Sequence, residues 1–175
     1  MLWEINLIQS LDHFRDPMLN YWMLFITNLG STFFIIFISA LVSVAFIFFK
    51  KYRYLLIFIS AILGEEAITY LIKHLVKRIR PEILAHLTQA SGFSFPSGHS
   101  FASATLYSLL AYFLTKEIKN KKIKMFIWIL ALLFISLIGF SRIYLGVHWI
   151  TDVLGGFMMA FIWIELVIFI FKKKW

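Results

Sequence analysis

Apolar residues in this chain come in long runs, and the breaks between the runs are charged. Residues 21–49 carry no charge at all. That exceeds the ~20 residues an α-helix needs to cross hydrocarbon, so the run predicts a tilted span or one that begins in the interface. Lys50, Lys51 and Arg53 close it. A second run, 54–72, holds two acids, Glu65 and Glu66. A polar stretch from Lys73 to Phe95 follows, with Pro81 inside it and Pro96 just beyond. Runs at 97–115, 125–141 and 147–171 predict three further spans. The loop 116–124 holds five lysines, and Gly146 lies in the short segment 142–147. Residues 1–20 differ, because Asp12, Arg15 and Asp16 interrupt Leu2, Trp3, Ile5, Leu7, Ile8, Leu11 and Phe14. That mixture suits an amphipathic helix lying in the interface with Trp3 as its anchor, and it is no secretory signal. The expected fold is all-α: a polytopic membrane helix bundle of five transmembrane helices plus the N-terminal interfacial helix, one domain over 1–175. Six spans result if 1–20 insert, which their charges disfavour.

Composition supports this reading. A chain of 175 residues suits one domain, and 61% of it is hydrophobic with only 15% charged. Soluble domains average about 25% charged residues, so the polar surface of a soluble domain is missing here, and disorder is excluded by the same figures. The net charge of +8 reads as orientation in a bilayer rather than as nucleic-acid binding. With five spans, one side collects eleven cations, in 50–53, 116–124 and 172–174, and the other collects six: Arg15, Lys73, Lys77, Arg78, Arg80 and Arg142. The positive-inside rule puts the eleven in the cytoplasm and the other side outside. The chain has no cysteine, which removes disulfides, thiolate nucleophiles and cysteine zinc sites.

Three polar clusters stand at the outer ends of the spans. In the first, Lys73 and Arg80 are seven apart, which on a continued helix puts both on one face, and Pro81 then turns the chain away. Two converging cations suit a phosphate or a carboxylate, although lipid-headgroup anchoring is the plainer use of such residues. The second is Pro96-Ser97-Gly98-His99, with Ser97 as an N-cap before an apolar run. A helix start offers free N–H groups to an anion, and Gly98 permits close approach. His99 would stand beside that anion as an acid or base. The third runs from Ser141-Arg142 through Gly146 to His148 and Asp152. His148 and Asp152 are four apart, so on a helix they share a face, and an aspartate on one imidazole nitrogen leaves the other free and more basic. Gly155 and Gly156 would let that helix pack closely. His99, His148 and Asp152 include zinc-ligand types, but Lys73, Arg80 and Arg142 are poor neighbours for a divalent cation and good ones for phosphate. No metal and no cofactor are expected.

Together these clusters resemble the three-part signature of the type 2 phosphatidic acid phosphatase superfamily, across residues 73–152. The resemblance implies roles. His148 is similar to the nucleophile that takes the phosphoryl group, giving a phosphohistidine. Asp152 matches the residue that orients it, and His99 the general acid and then base. Lys73, Arg80, Ser97, Gly98 and Arg142 match the phosphate cradle. It further implies a metal-independent bacterial inner-membrane lipid phosphatase acting on the periplasmic or outer face. Lipid A 1-phosphate is the first expected substrate, with undecaprenyl diphosphate and phosphatidylglycerophosphate overlapping; a dedicated enzyme for either is the alternative. A lipid transporter that keeps a phosphate site is the rival of another class, and the absence of repeats argues against it. Glu65 and Glu66 stay outside the catalytic set. Lys77 and Arg78 read as interface anchors, His74 and His86 as surface residues, Glu165 as structural, and Tyr144 as packing.

Overall fold

The computed structural model describes residues 2–173, with side chains to Phe171. Lys174 and the side chains of Lys172 and Lys173, counted above among the cytoplasmic cations, lie outside the described residues. The described chain is all helical: α1 (Leu2–Asp12), α2 (Pro17–Asn28), α3 (Thr32–Phe48), α4 (Tyr52–Val76), α5 (Gly98–Lys116), α6 (Lys121–Tyr144) and α7 (Ile150–Lys173).

Helices α4, α6 and α7 are each long and apolar enough to cross a membrane, and α2 with α3 makes a fourth such unit. The span expected over 21–49 is therefore not one continuous helix. It is two helices bent by 43°, with Leu29-Gly30-Ser31 between them. Gly30 lies against α6, where a Cβ would meet Ile138 at 2.6 Å. The free carbonyl of Leu29 accepts from Tyr107 Oη of α5 at 3.0 Å. Broken backbone at membrane depth needs such partners, because lipid offers none.

The span expected over 97–115 is α5, which is not among the helices apolar enough to cross a membrane on that measure. It is less apolar than its neighbours because Ser100, Ser103 and Thr105 are buried along it. It packs most extensively on α6 and α7, so protein rather than lipid surrounds those hydroxyls. Its lower half shares a core with α4 and α7, built on Phe58, Leu106, Leu109, Phe113 and Val167. Outward-facing Phe33, Phe48, Leu63 and Phe161 are more than 65% exposed, which in a bilayer is lipid contact.

The N-terminal expectation is corrected in two respects. The boundary falls at Asp12 instead of residue 20, because Asp16 caps α2 by accepting from the N–H groups of Met18 and Leu19, with Pro17 in the first turn. And α1 is more than an interfacial anchor. Trp3 is half exposed, but Ile8 is fully buried against Ile143 and Val153, and Glu4 is 3% exposed. The charges that interrupt the run serve the junction: Arg15 donates to the carbonyls of Ala85 (3.0 Å) and Tyr144 (2.8 Å).

Candidate active site

The C-terminal end of α4, the start of α5, the end of α6 and the start of α7 meet at one end of the bundle. Close helix approach makes this possible. At Gly156 a Cβ would lie 2.9 Å from the Ser97 carbonyl, and at Gly155 one would lie 2.5 Å from the Phe95 ring. The Ser97 N–H donates to the Asp152 carbonyl at 3.0 Å, which fixes the start of α7 against the start of α5.

All eight residues singled out in the sequence come together here. Lys73, Arg80, Gly98, His99, Arg142 and His148 line one cavity of about 680 Å³. Ser97 and Asp152 are fully buried behind it. Ser97 is the N-cap of α5, its hydroxyl accepting from Ser100 N–H, so the first N–H groups of the helix remain free to face an anion. Gly146, at φ +77°, reverses the chain between Arg142 and His148.

Two local readings need correction. Lys73 and Arg80 do not share a helix face, because α4 stops at Val76 and Lys77 takes a left-handed conformation, φ 51°. They converge instead on the loop 91–93. Lys73 Nζ donates to the Phe93 carbonyl at 2.6 Å, while Arg80 donates to the carbonyls of Ser91, Gly92 and Phe93. His148 also lies ahead of its helix, in the turn before Ile150. Its Nδ1 still faces Asp152 Oδ2 at 3.4 Å, and the same oxygen accepts from Trp149 N–H at 2.9 Å.

The other ring nitrogen, His148 Nε2, stands 3.2 Å from Arg80 Nη1 on the cavity side. His148 is 3% exposed. Burial, reinforced by the charges of Arg80 and Arg142, pushes its pKa down to about 3 against the pull of Asp152. The imidazole is therefore neutral at neutral pH, the form with a free lone pair. Burial likewise lowers the Arg80 guanidinium from its ordinary range, and Asp152 opposes that shift. Arg142 Nη1 donates to Thr27 Oγ1 at 2.7 Å, but its buried Nε finds no acceptor among the described residues. An unpaired buried donor is costly unless a ligand or water meets it, so this N–H is available to an oxyanion.

Arg78 is the residue sequence reasoning missed. It is no interface anchor: it donates to Asp152 Oδ1, Thr151 Oγ1 and Glu4 Oε2. In the sequence it looks like any interfacial cation, and only the end of α4 at Val76 frees it from the helix to reach these partners. Thr27 was also missed, and nothing in an uncharged span marks it. Tyr144 packs as expected, buried with its hydroxyl donating to Asn20 Oδ1. His74 and His86 are exposed. Glu65 is buried and accepts from Thr69 Oγ1 at 3.0 Å, and it lines the cavity with Glu66. Among the described residues, no three His, Asp or Glu side chains group as a metal site.

Residues 54–175 match the PAP2 superfamily. The chain is 36% identical to a phosphatidylglycerophosphatase B of Bacillus subtilis strain 168, over 93% of this chain and 84% of that protein. It is 26% identical to a lipid A 4'-phosphatase of Porphyromonas gingivalis, over 91% of this chain and 69% of that one. Its fold superposes on the crystal structure of a transmembrane PAP2-type phosphatidylglycerolphosphate phosphatase from Bacillus subtilis with a TM-score of 0.90 at 34% identity, covering 98% of this chain and 86% of that one. Family pattern, relatives and fold agree with one another, and the chain belongs to the PAP2 superfamily as a multi-pass membrane lipid phosphatase.

Proposed function

We propose that this protein hydrolyses a phosphate monoester or diphosphate of a membrane lipid at the outer face of a bacterial inner membrane, through a phosphohistidine on His148, with phosphatidylglycerophosphate as its first substrate. The observation that carries the reading is the division of labour at His148: Nδ1 is turned to Asp152 and Nε2 to the cationic cavity. The greater identity to a phosphatidylglycerophosphatase than to a lipid A phosphatase (36% against 26%) supports this order of substrates and demotes lipid A 1-phosphate.

In this mechanism Lys73, Arg80, Arg142 and the first N–H groups of α5 hold the non-bridging oxygens. Nε2 of His148 attacks phosphorus in line as the P–O bond to the lipid breaks. His99, protonated beside the bound dianion, gives its proton to the leaving oxygen. The proton on His148 Nδ1 is held toward Asp152, so the positive charge formed on the ring is stabilised. His99 then takes a proton from water, whose oxygen attacks the phosphohistidine and releases phosphate and free His148. Phosphoryl transfer asks for positioning, charge stabilisation and proton handling, which these residues supply without a metal. Below the cations, beside Glu65 and Glu66, the cavity is lined by Ile35 and Ile36 of α3 and Ile62 and Leu63 of α4, and Ile36 and Leu63 are also exposed on the bundle's outer surface. That favours lateral entry of a lipid whose chains stay in the bilayer.

The test is phosphate release by purified protein in detergent, with chelator present, on phosphatidylglycerophosphate, undecaprenyl diphosphate and lipid A. Phosphatidylglycerophosphate should be hydrolysed fastest, and His148→Ala should abolish release while eluting like the parent protein. A His148→Ala variant that still turns over overturns the nucleophile. Chelator inhibition reversed by zinc or magnesium overturns the metal-free chemistry.

A further inference from the structure

We infer that Arg78 is a positioning residue for the Asp152–His148 pair, and that the N-terminal helix belongs to the catalytic architecture because Glu4 holds Arg78 in place. The inference rests on the reading of His148 as nucleophile.

The network joins four side chains, those of Arg78, Asp152, Thr151 and Glu4. Arg78 Nη1 donates to Asp152 Oδ1 and to Thr151 Oγ1, both at 2.6 Å. Arg78 Nη2 donates to Glu4 Oε2 at 3.0 Å. Glu4 Oε1 accepts from Thr151 N–H at 3.1 Å and from Thr151 Oγ1 at 2.8 Å. The guanidinium lies over the Trp149 ring, 5.4 Å from its centroid. One oxygen of Asp152 is thus committed to Arg78, and the other to His148 Nδ1 and Trp149 N–H. A carboxylate with one free oxygen can rotate about its last bond; one bonded at both cannot. Orientation within about 10–20° is what a reacting imidazole requires of its support.

Charge leads to the same conclusion. Asp152 is fully buried and Glu4 nearly so. A single guanidinium between two buried carboxylates offsets their desolvation, and a fork-shaped donor reaches both while a point charge does not. The position of Glu4 is set by α1, through Ile8 packed on Ile143 and Val153. Residues near the first turn of the chain therefore reach the pair that carries the chemistry, although Arg78 is not placed in the phosphate cavity.

The experiment measures kcat and KM for Arg78→Gln, Arg78→Lys, Glu4→Gln and the Arg78→Gln/Glu4→Gln double variant, each normalised to the monodisperse fraction, with His148→Ala and Asp152→Asn alongside. Arg78→Gln should lower kcat about 10–100-fold, the usual effect of removing an outer-shell partner, with KM within about twofold of the parent. Arg78→Lys should recover part of that loss. Glu4→Gln should lower kcat in the same way but less, and the double variant should be no worse than Arg78→Gln, because the two act as one unit. Lys77→Asn removes an adjacent exposed cation and should leave kcat unchanged. If His148→Ala is inactive while Arg78→Gln and Glu4→Gln keep kcat within about twofold, within the scatter of ordinary surface changes, the inference fails and the nucleophile stands. A loss appearing in KM alone also overturns it. If His148→Ala is active, the phosphohistidine reading fails first. Should Arg78→Gln not fold, Glu4→Gln decides: an unchanged kcat refutes the inference, and a lowered kcat at constant KM supports it.

Discussion

His148 shows how one side chain is prepared by its surroundings. An exposed imidazole titrates near 6.5, but this one is buried beside two guanidinium groups and is pushed down to about 3. The unfolded chain therefore takes up a proton on this residue below about pH 6.5, while the folded chain does not until far lower. Its contribution to stability is present above pH 6.5 and is lost as pH falls toward 3. With ring-labelled histidine, the His148 resonances of the free protein should not move between pH 7.5 and 5, and inorganic phosphate should restore proton uptake within that range by adding negative charge. A free-protein titration midpoint near 6.5 refutes the depressed value. Most of the cavity's residues were legible because their types and spacing are unusual in an apolar chain. Arg78 was not, because it looks like any interfacial cation until the helix is seen to end at Lys77.

Helices here are held in place less by their own propensity than by where they touch. The contact of α7 with α5 is the case that matters for the site, since it carries Asp152 to Ser97. Gly156→Ala would put a methyl 2.9 Å from the Ser97 carbonyl, and backbone cannot yield there without moving the start of α5. Overpacking of this kind costs about 1–3 kcal/mol, so the variant should melt several degrees lower in detergent and lose activity through kcat. An unchanged melting temperature and unchanged kcat would show that the contact is not tight. The break between α2 and α3 is a second element-scale feature. The run 21–49 reads as one span because nothing in it is charged, and the bend at Leu29-Gly30-Ser31 depends on Tyr107 and Ile138 from distant helices.

For the whole molecule, the distribution of cations predicts that the end carrying the cavity faces out. The absence of cysteine makes this easy to test with single introduced thiols. His86→Cys, in the exposed loop beside the cavity, should react with an impermeant maleimide in intact cells, and Lys119→Cys, in the lysine-rich loop, should react only after lysis. The reverse pattern overturns the orientation and with it the periplasmic placement of the reaction.

The sequence by itself determined the class of protein and the resemblance to its family. Long uncharged runs require a bilayer, and three polar clusters beside them, costly to keep at a membrane, mark residues that the structure gathers at one end of the bundle. It also placed Ser97 as a helix cap and Gly146 as a turn, since both follow from local backbone rules. Only the tertiary structure decided how the clusters meet. Lys73 and Arg80 converge on the carbonyls of 91–93 rather than along a helix face, His148 waits in a turn ahead of its helix, and Glu4 reaches Arg78, 74 positions away in the sequence. Local patterning reports the period of one element; it holds no record of which distant group will satisfy a buried charge. That choice is made when the helices pack and water is removed.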